Sequence, residues 1–209
     1  VLLAALGAVL VQRFFPPLIA AGNLADDRLL ASLTPARPQH PRVAIVALTD
    51  QTFADLRCRS PVDRAFLADL VGRLAAKGVA AIGIDLLFDQ PTLDRADAIL
   101  GVRTGHANLP KDRIDGVVRR HAPIGPDGQP SFPAALARAV GVEVPAERFE
   151  LAWLQPPEPG GTAFPVYPAE AVDLLPAAWL QGRIVLIGVT VGDVDRHRTP
   201  VAPAGRTVP

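Results

Sequence analysis

Carboxylates at the ends of apolar runs are the residues of this chain best placed to do chemistry. Asp50 comes shortly after one run of strand length, Asp85 ends the second, and Asp195 follows the third. Open sheets of parallel strands form their ligand crevices beyond the carboxyl ends of the strands. We therefore expect the three carboxylates to lie along one edge of a sheet.

Three further residues belong to this predicted strand-end site. Asp89 lies close to Asp85 in sequence, Arg64 opens the helix between the first two strands, and His197 lies in the loop after the third. A cluster of this kind could bind a cation or an amine, or it could orient Arg64 toward an anionic ligand. In the structural alternative, Asp50 caps its helix, Arg64 ties neighbouring loops together through acids, and His197 orders the final loop.

The sequence does not support common catalytic arrangements. The four histidines have no zinc spacing and no cysteine nearby, and there is no phosphate-binding glycine loop. Thr52 stands two residues after Asp50, where an aspartyl-phosphate enzyme would need a second acid. We predict no catalytic residue, metal site or cofactor.

Two isolated residues have alternative interpretations. Cys58, the one cysteine, lies between Arg57 and Arg59, which would lower the pKa of an exposed thiol; otherwise it is an inert loop residue. His121 follows Arg119 and Arg120. It could bind an anion or respond to pH, and as a structural residue it would be a solvated strand end.

The composition limits the class of protein. The 21 basic and 21 acidic residues balance, so no overall field attracts nucleic acid, and we expect no nucleic-acid partner. Apolar residues make up 49% of the chain but aromatic residues only 5%, so Ala, Val and Leu must build the core. The 22 prolines and 17 glycines are typical of a loop-rich α/β or α+β domain.

The apolar pattern predicts an α/β fold with a central, mainly parallel sheet flanked by helices. Unbroken apolar runs are typical of strands that are covered on both faces. The predicted strands are 43–48, 79–85 and 183–189, with a further strand at 149–154; the predicted helices are 18–33, 51–56, 60–77 and 132–140, with short helical pieces at 168–175 and 177–180. Residues 116–121 and the Asp127-Gly128 turn predict an antiparallel hairpin excursion, and residues 18–33 form an N-terminal helical lead-in.

The first eleven residues, Val1 to Val11, are all apolar or glycine. Spanning a membrane takes about 20 such residues, so this run does not span alone. It can be the outer end of a transmembrane helix, the apolar part of a signal peptide, or a buried core helix. We take the first as the working interpretation.

Five segments, in order, resemble motifs of the CHASE2 domain family. These are Val43 to Phe53, Pro61-Val62-Asp63-Arg64, Gly83-Ile84-Asp85-Leu86-Leu87-Phe88, Asp115-Gly116-Val117-Val118-Arg119-Arg120, and the block Gly182 to Gly188 followed by Asp195, His197, Thr199 and Pro200. The family usually has a further strand and helix where this chain has residues 92–108. Leu100-Gly101-Val102 has no turn chemistry, so we expect residues to be missing near 100–102.

The resemblance implies a sensor domain held outside the cytoplasm of a bacterium, in the periplasm, and anchored in the inner membrane by flanking helices. It implies a cytoplasmic output such as an adenylate or diguanylate cyclase or a histidine kinase, so this chain itself is not an enzyme. On this basis residues 1–33 are a membrane anchor with a membrane-proximal helix, and residues 34–209 are the sensor domain.

The partners follow from the same interpretation. We expect an unidentified small molecule or ion as ligand, and a homodimer. If signals pass to the membrane, residues 1–33 and the segment after Thr199 should lie near one another. Two alternatives remain: a dimerisation module that binds no ligand, and an enzyme that uses the strand-end acids in a deep pocket.

Overall fold

The computed structural model describes residues 7, 15–56, 62–86, 105, 107, 109–190 and 197–201. The elements in chain order are α1 Pro16–Leu33, β1 Val43–Leu48, α2 Asp50–Asp55, α3 Arg64–Ala76, β2 Ala81–Asp85, β3 Arg120–His121, α4 Phe132–Ala139, β4 Phe149–Glu150, β5 Val166–Pro168, two 3-10 turns at Ala169–Leu174 and Ala177–Trp179, and β6 Ile184–Val189. Within the described residues, no helix is both long enough and apolar enough to cross a membrane.

The central sheet has four parallel strands in the order β2-β6-β1-β5. The register aligns the predicted strands closely: Leu48 of β1 pairs with Val189 of β6, and Asp85 of β2 pairs with Gly188. The prediction of an α/β fold with a mainly parallel sheet is therefore confirmed. The edge strand β5 was not predicted, because it is only three residues long and ends in Pro168.

The core lies between β1, β6 and helix α3. From Ala44 to Leu48 only Ile45 is not buried, and α3 contributes four buried residues at helical spacing: Leu67, Leu70, Val71 and Leu74. The N-terminal cap of α3 is Asp63, whose carboxylate accepts hydrogen bonds from the amides of Ala65 and Phe66 at 2.8 and 3.4 Å. The prediction that this helix begins at Ser60-Pro61 was wrong, since an aspartate three residues later satisfies the free amides.

Helix α4 packs on β2, and Gly83 makes this possible. A Cβ atom on Gly83 would lie 2.6 Å from Leu136 Cδ1 and 2.7 Å from Phe132 Cζ. A glycine on this strand is therefore a packing requirement and not a turn signal. The close packing of α4 therefore explains why a glycine interrupts the apolar run predicted as a strand.

The antiparallel part differs in its pairing from the prediction. His121 of β3 pairs with Phe149 of β4, almost 30 residues further along the chain, and not across the Asp127-Gly128 turn. The Asp127-Gly128 turn instead lies between Ile124 and Pro130, which form one isolated antiparallel bridge.

The interpretation of His121 as a solvated strand end was wrong. Its ring is only 6% exposed, it is hydrogen-bonded through Nε2 to Ser131 Oγ at 2.8 Å, and it packs edge-on against Phe149.

Candidate functional site

The strand-end site predicted from the sequence is only partly described by the structure. Asp89 and Asp195 lie outside the described residues, as do Cys58 and residues 100–102. Asp50, Arg64, Asp85 and His197 are described.

Asp50 and Asp85 do lie at the same edge of the sheet. Asp50 is the first residue of α2, just beyond β1, and Asp85 is the last residue of β2. Strand β6 separates their strands, which lie about 10 Å apart across the sheet, and Asp85 is level with Ala47, three residues before Asp50. Both residues are exposed. These two carboxylates therefore do not face each other across adjacent strands.

Asp50 is not the cap of its helix, contrary to the structural alternative. Thr49 is the cap: its hydroxyl accepts from the Thr52 amide at 3.2 Å, and the Thr52 hydroxyl accepts from the Thr49 amide at 3.0 Å. Both threonine hydroxyls also donate to the Glu170 carboxylate, at 3.1 and 2.7 Å. Burial alone would raise the pKa of Glu170, but the bonds from the two threonines and a backbone hydrogen bond lower it.

Arg64 and His197 belong to different elements of the fold. Arg64 is the first residue of α3 and is half-buried, whereas His197 lies beside Arg198, which forms a parallel bridge with Val117. Among the described residues, no group of three or more His, Cys, Asp or Glu side chains could hold a metal ion.

The strongest polar cluster lies elsewhere, where α1 meets the loop before β3. We call it the Arg119 junction; it comprises Asn23, Asp27, Asp115 and Arg119. Arg119 donates to both oxygens of Asp27, from Nε at 2.9 Å and from Nη2 at 2.6 Å. It also donates to both oxygens of Asp115, from Nη1 at 3.0 Å and from Nη2 at 2.7 Å. One planar guanidinium thus holds two carboxylates in bidentate geometry.

The junction is largely screened from water. The Asp27 and Asp115 side chains are 12% and 13% exposed, and that of Arg119 is 23% exposed. Burial alone would raise the pKa of Asp115. Hydrogen bonds from Arg119, the Val117 amide and Asn23, with the positive charge of Arg119, instead lower it to about 2. Burial likewise opposes the charge of Arg119, but its two carboxylate partners raise its pKa.

The same loop also holds the C-terminal end of the described chain. Arg198 Nη1 donates to the carbonyl oxygen of Asp115 at 2.9 Å, and the Arg198 carbonyl accepts from the Val118 amide at 2.9 Å. Asp115 therefore contacts α1 through its side chain and the exit segment, residues 197–201, through its backbone. The described parts of α1 and of the exit segment meet at one loop. The contacts of the exit segment are made by Arg198, so the expected proximity of residues 1–33 to the segment after Thr199 stays a prediction.

Helix α1 has a second attachment near its own end. Gln155 Nε2 donates to the Ala31 carbonyl, and Gln155 forms a parallel bridge with Ala36. Both attachments of α1 are polar.

Asp115 and Arg119 belong to one of the five CHASE2-like segments, but their role was not predicted. Residues 116–121 were predicted only as part of an antiparallel hairpin. One signal was available in the sequence: Asp115 and Arg119 are an acid and a base four residues apart. The sequence does not indicate that Asp27, 92 positions before Arg119, contacts the same guanidinium.

The comparisons with known proteins agree with the motifs. The sequence model of the CHASE2 domain matches residues 2–209. Searches of curated proteins and of solved structures found no match.

Proposed function

The chain belongs to the CHASE2 family of extracytoplasmic sensor domains, and from this premise we propose that it is the signal-input domain of a membrane-anchored bacterial receptor. In this proposal the domain lies in the periplasm and regulates a cytoplasmic output, such as a nucleotide cyclase or a histidine kinase. The domain itself carries no reaction.

The observation that carries the proposal is the meeting of both flanking segments at the Arg119 junction. Loop 112–119 contacts α1 through side chains and the exit segment through backbone bonds. A ligand can shift an equilibrium only through an element that has different contacts in the two states. A loop that binds both segments can change both at once, so it suits transmission from the domain to a membrane.

The proposed ligand is a small molecule or an ion at the strand-end edge, near Asp50, Arg64 and Asp85, with Asp89, Asp195 and His197 as further candidates. Support comes from the topology. The three parallel strands β2, β6 and β1 end at this edge, and both described carboxylates there are exposed.

The extracytoplasmic placement is tested by thiol labelling in intact cells. Cys58 is first replaced by serine, and Leu174→Cys is introduced because Leu174 is 84% exposed. A membrane-impermeant maleimide should label this cysteine in intact spheroplasts as fully as after lysis. Labelling that appears only after lysis would refute the periplasmic placement.

Ala44→Cys is the matched control, because Ala44 is fully buried in β1. It should react only after denaturation, which shows that labelling reports exposure in the folded domain. A cytoplasmic cysteine protein that stays unlabelled shows that the spheroplasts are intact.

One observation favours a second function, dimerisation of the receptor. The leucines of α1 are exposed, and Leu29 and Leu33 are 58% and 70% accessible to solvent. An exposed apolar helix face is expected of a module that brings two chains together.

A further inference from the structure

The hydrogen bonds of helix α1 to its own domain involve Asn23, Asp27 and the Ala31 carbonyl. The one buried residue of α1 between Pro16 and Leu33 is Asp27. The usual amphipathic helix of a globular domain buries its apolar face instead. Burial of apolar side chains against this domain therefore does not explain the leucines of α1.

The side of α1 opposite Asp27 is an uncharged stripe, which we call the outer seam: Leu18, Gly22, Ala25 and Leu29. The spacings of four, three and four residues are those of the a and d positions of a coiled coil. Leu18 and Leu29 are 42% and 58% exposed.

Gly22 is a residue that the domain does not require. A Cβ atom there would meet nothing within 4 Å. Glycine in a helix interior is less stable than alanine, and no turn or close contact in the described part of the chain accounts for it. A second helix lying against the seam would account for it, since small residues allow two helix backbones to approach closely.

Two charges on the flanks of the seam select the orientation of that second helix. Asp26 and Arg28 lie on opposite flanks, each about 80° from the centre of the seam at 3.6 residues per turn. A two-fold axis parallel to the helix brings the Arg28 flank of one copy against the Asp26 flank of the other. An antiparallel pair would instead bring like flanks together.

We propose that the outer seam of α1 is a homodimer interface in which two copies of this chain pair their α1 helices in parallel. The occupant is a second copy because both the apolar seam and its flanking charges are self-complementary in that arrangement. This inference deepens the second function proposed above, and it holds whether or not the domain binds a ligand.

The seam is short, so the dimer is weak in dilute solution. Eighteen residues are about 27 Å of helix, fewer than the three to four heptads that define a stable coiled coil from sequence. Confinement of both copies to one membrane would raise their effective concentration, which compensates for a small interface.

The test is cysteine cross-linking of the whole chain in the Cys58→Ser background, in mild detergent. Leu18→Cys and Leu29→Cys should each form disulfide-linked dimers upon mild oxidation. Leu24→Cys and Leu30→Cys are the matched controls: these leucines are 45% and 41% exposed, but they lie about 60° from Asp27 on the domain side. They should cross-link several-fold less. Equal yields at all four positions, or no dimer at the seam positions, would overturn the proposal.

A mixed sample fixes the orientation. Leu18→Cys and a size-tagged Leu29→Cys should give few mixed dimers if the helices are parallel. Mixed dimers exceeding the two self-linked products would contradict the parallel arrangement.

A substitution at the seam tests the interface without cysteine. Gly22→Leu should raise the dimer dissociation constant about tenfold or more, measured by sedimentation equilibrium. Gly72→Leu is the control, because Gly72 lies in α3 and also has open space around its Cβ position. It should leave the dissociation constant unchanged. A Gly22→Leu chain that dimerises normally refutes the seam but leaves the sensor proposal intact, because the labelling of Leu174→Cys does not depend on dimerisation.

Discussion

Replacing Arg119 by glutamine removes a guanidinium that serves two carboxylates at once. Asp27 and Asp115 then stay in a junction where their side chains are 12% and 13% exposed, without the cation that compensates their charge. Breaking a fully buried ion pair costs about 3–5 kcal/mol, whereas an exposed pair contributes about 0.2–1 kcal/mol. The junction lies between these cases.

The lowered pKa of Asp115 indicates the size of the same interaction. It is lowered from 3.8 to about 2 by Arg119, the Val117 amide and Asn23. At about 1.4 kcal/mol per pKa unit this corresponds to about 2 kcal/mol for this carboxylate, of which Arg119 supplies a part. Asp27 would also lose two hydrogen bonds from Arg119, so we expect Arg119→Gln to lower the free energy of unfolding by about 2–3 kcal/mol.

The assay is equilibrium unfolding in urea at pH 7, with the neighbouring arginine as control. Arg120 is 66% exposed and has a single 3.5 Å contact with Glu150, which is 79% exposed. Arg120→Gln should therefore change the free energy of unfolding by less than about 0.5 kcal/mol. Equal effects of the two substitutions would refute the argument that the Arg119 junction holds α1 to the domain.

The pH dependence supplies a second check on the same variant. A lowered carboxyl pKa in the folded state stabilises the fold above the unfolded value of 3.8, and this stabilisation is lost as the pH falls toward about 2. The difference between the wild-type protein and Arg119→Gln should therefore shrink as the pH is lowered from 5 toward 2. A difference that stays constant over this range would contradict the electrostatic explanation.

Four other substitutions, one of them a control, test the packing and the caps. Gly83→Ala should destabilise by about 1–3 kcal/mol because its Cβ would overlap Leu136, whereas Gly188→Ala, with nothing within 4 Å, should be nearly neutral; thermal unfolding of the two compares them. Ser131→Ala removes the cap of α4 and a hydrogen bond to buried His121, so the urea midpoint should fall by the equivalent of about 1–3 kcal/mol. Thr52→Val should cost about 1 kcal/mol through loss of the reciprocal cap, with no loss expected if Thr49 alone suffices.

The sheet was predictable because its strands carry unbroken apolar runs. Val43–Leu48 was located to the residue, since both of its faces are covered and its neighbours supply no competing pattern. The edge strand Val166–Pro168 and the pairing of His121 with Phe149 were not predictable, because short strands carry little periodicity and their partners lie far away in sequence.

The candidate site was less predictable than the fold. The topology places Asp50 and Asp85 at one edge of the sheet, as expected for residues at strand ends. Their separation could not be predicted, because the sequence does not show that β6 lies between β1 and β2. The Arg119 junction could not be predicted without knowing where α1 packs on the domain. The position of a helix joined through the proline-rich segment 35–41 is set by tertiary contacts that sequence periodicity does not report.

The central claim is that the Arg119 junction joins α1 and the exit segment into one unit. Amide hydrogen exchange, resolved by residue, tests it directly on wild-type protein, Arg119→Gln and Arg120→Gln. The amides of α1 and the Val118 amide, which bonds to the Arg198 carbonyl, should both exchange at least about tenfold faster in Arg119→Gln, with the buried strand amide of Val46 unchanged. Faster exchange in α1 with an unchanged Val118 amide would contradict the claim, because the two segments would then open independently.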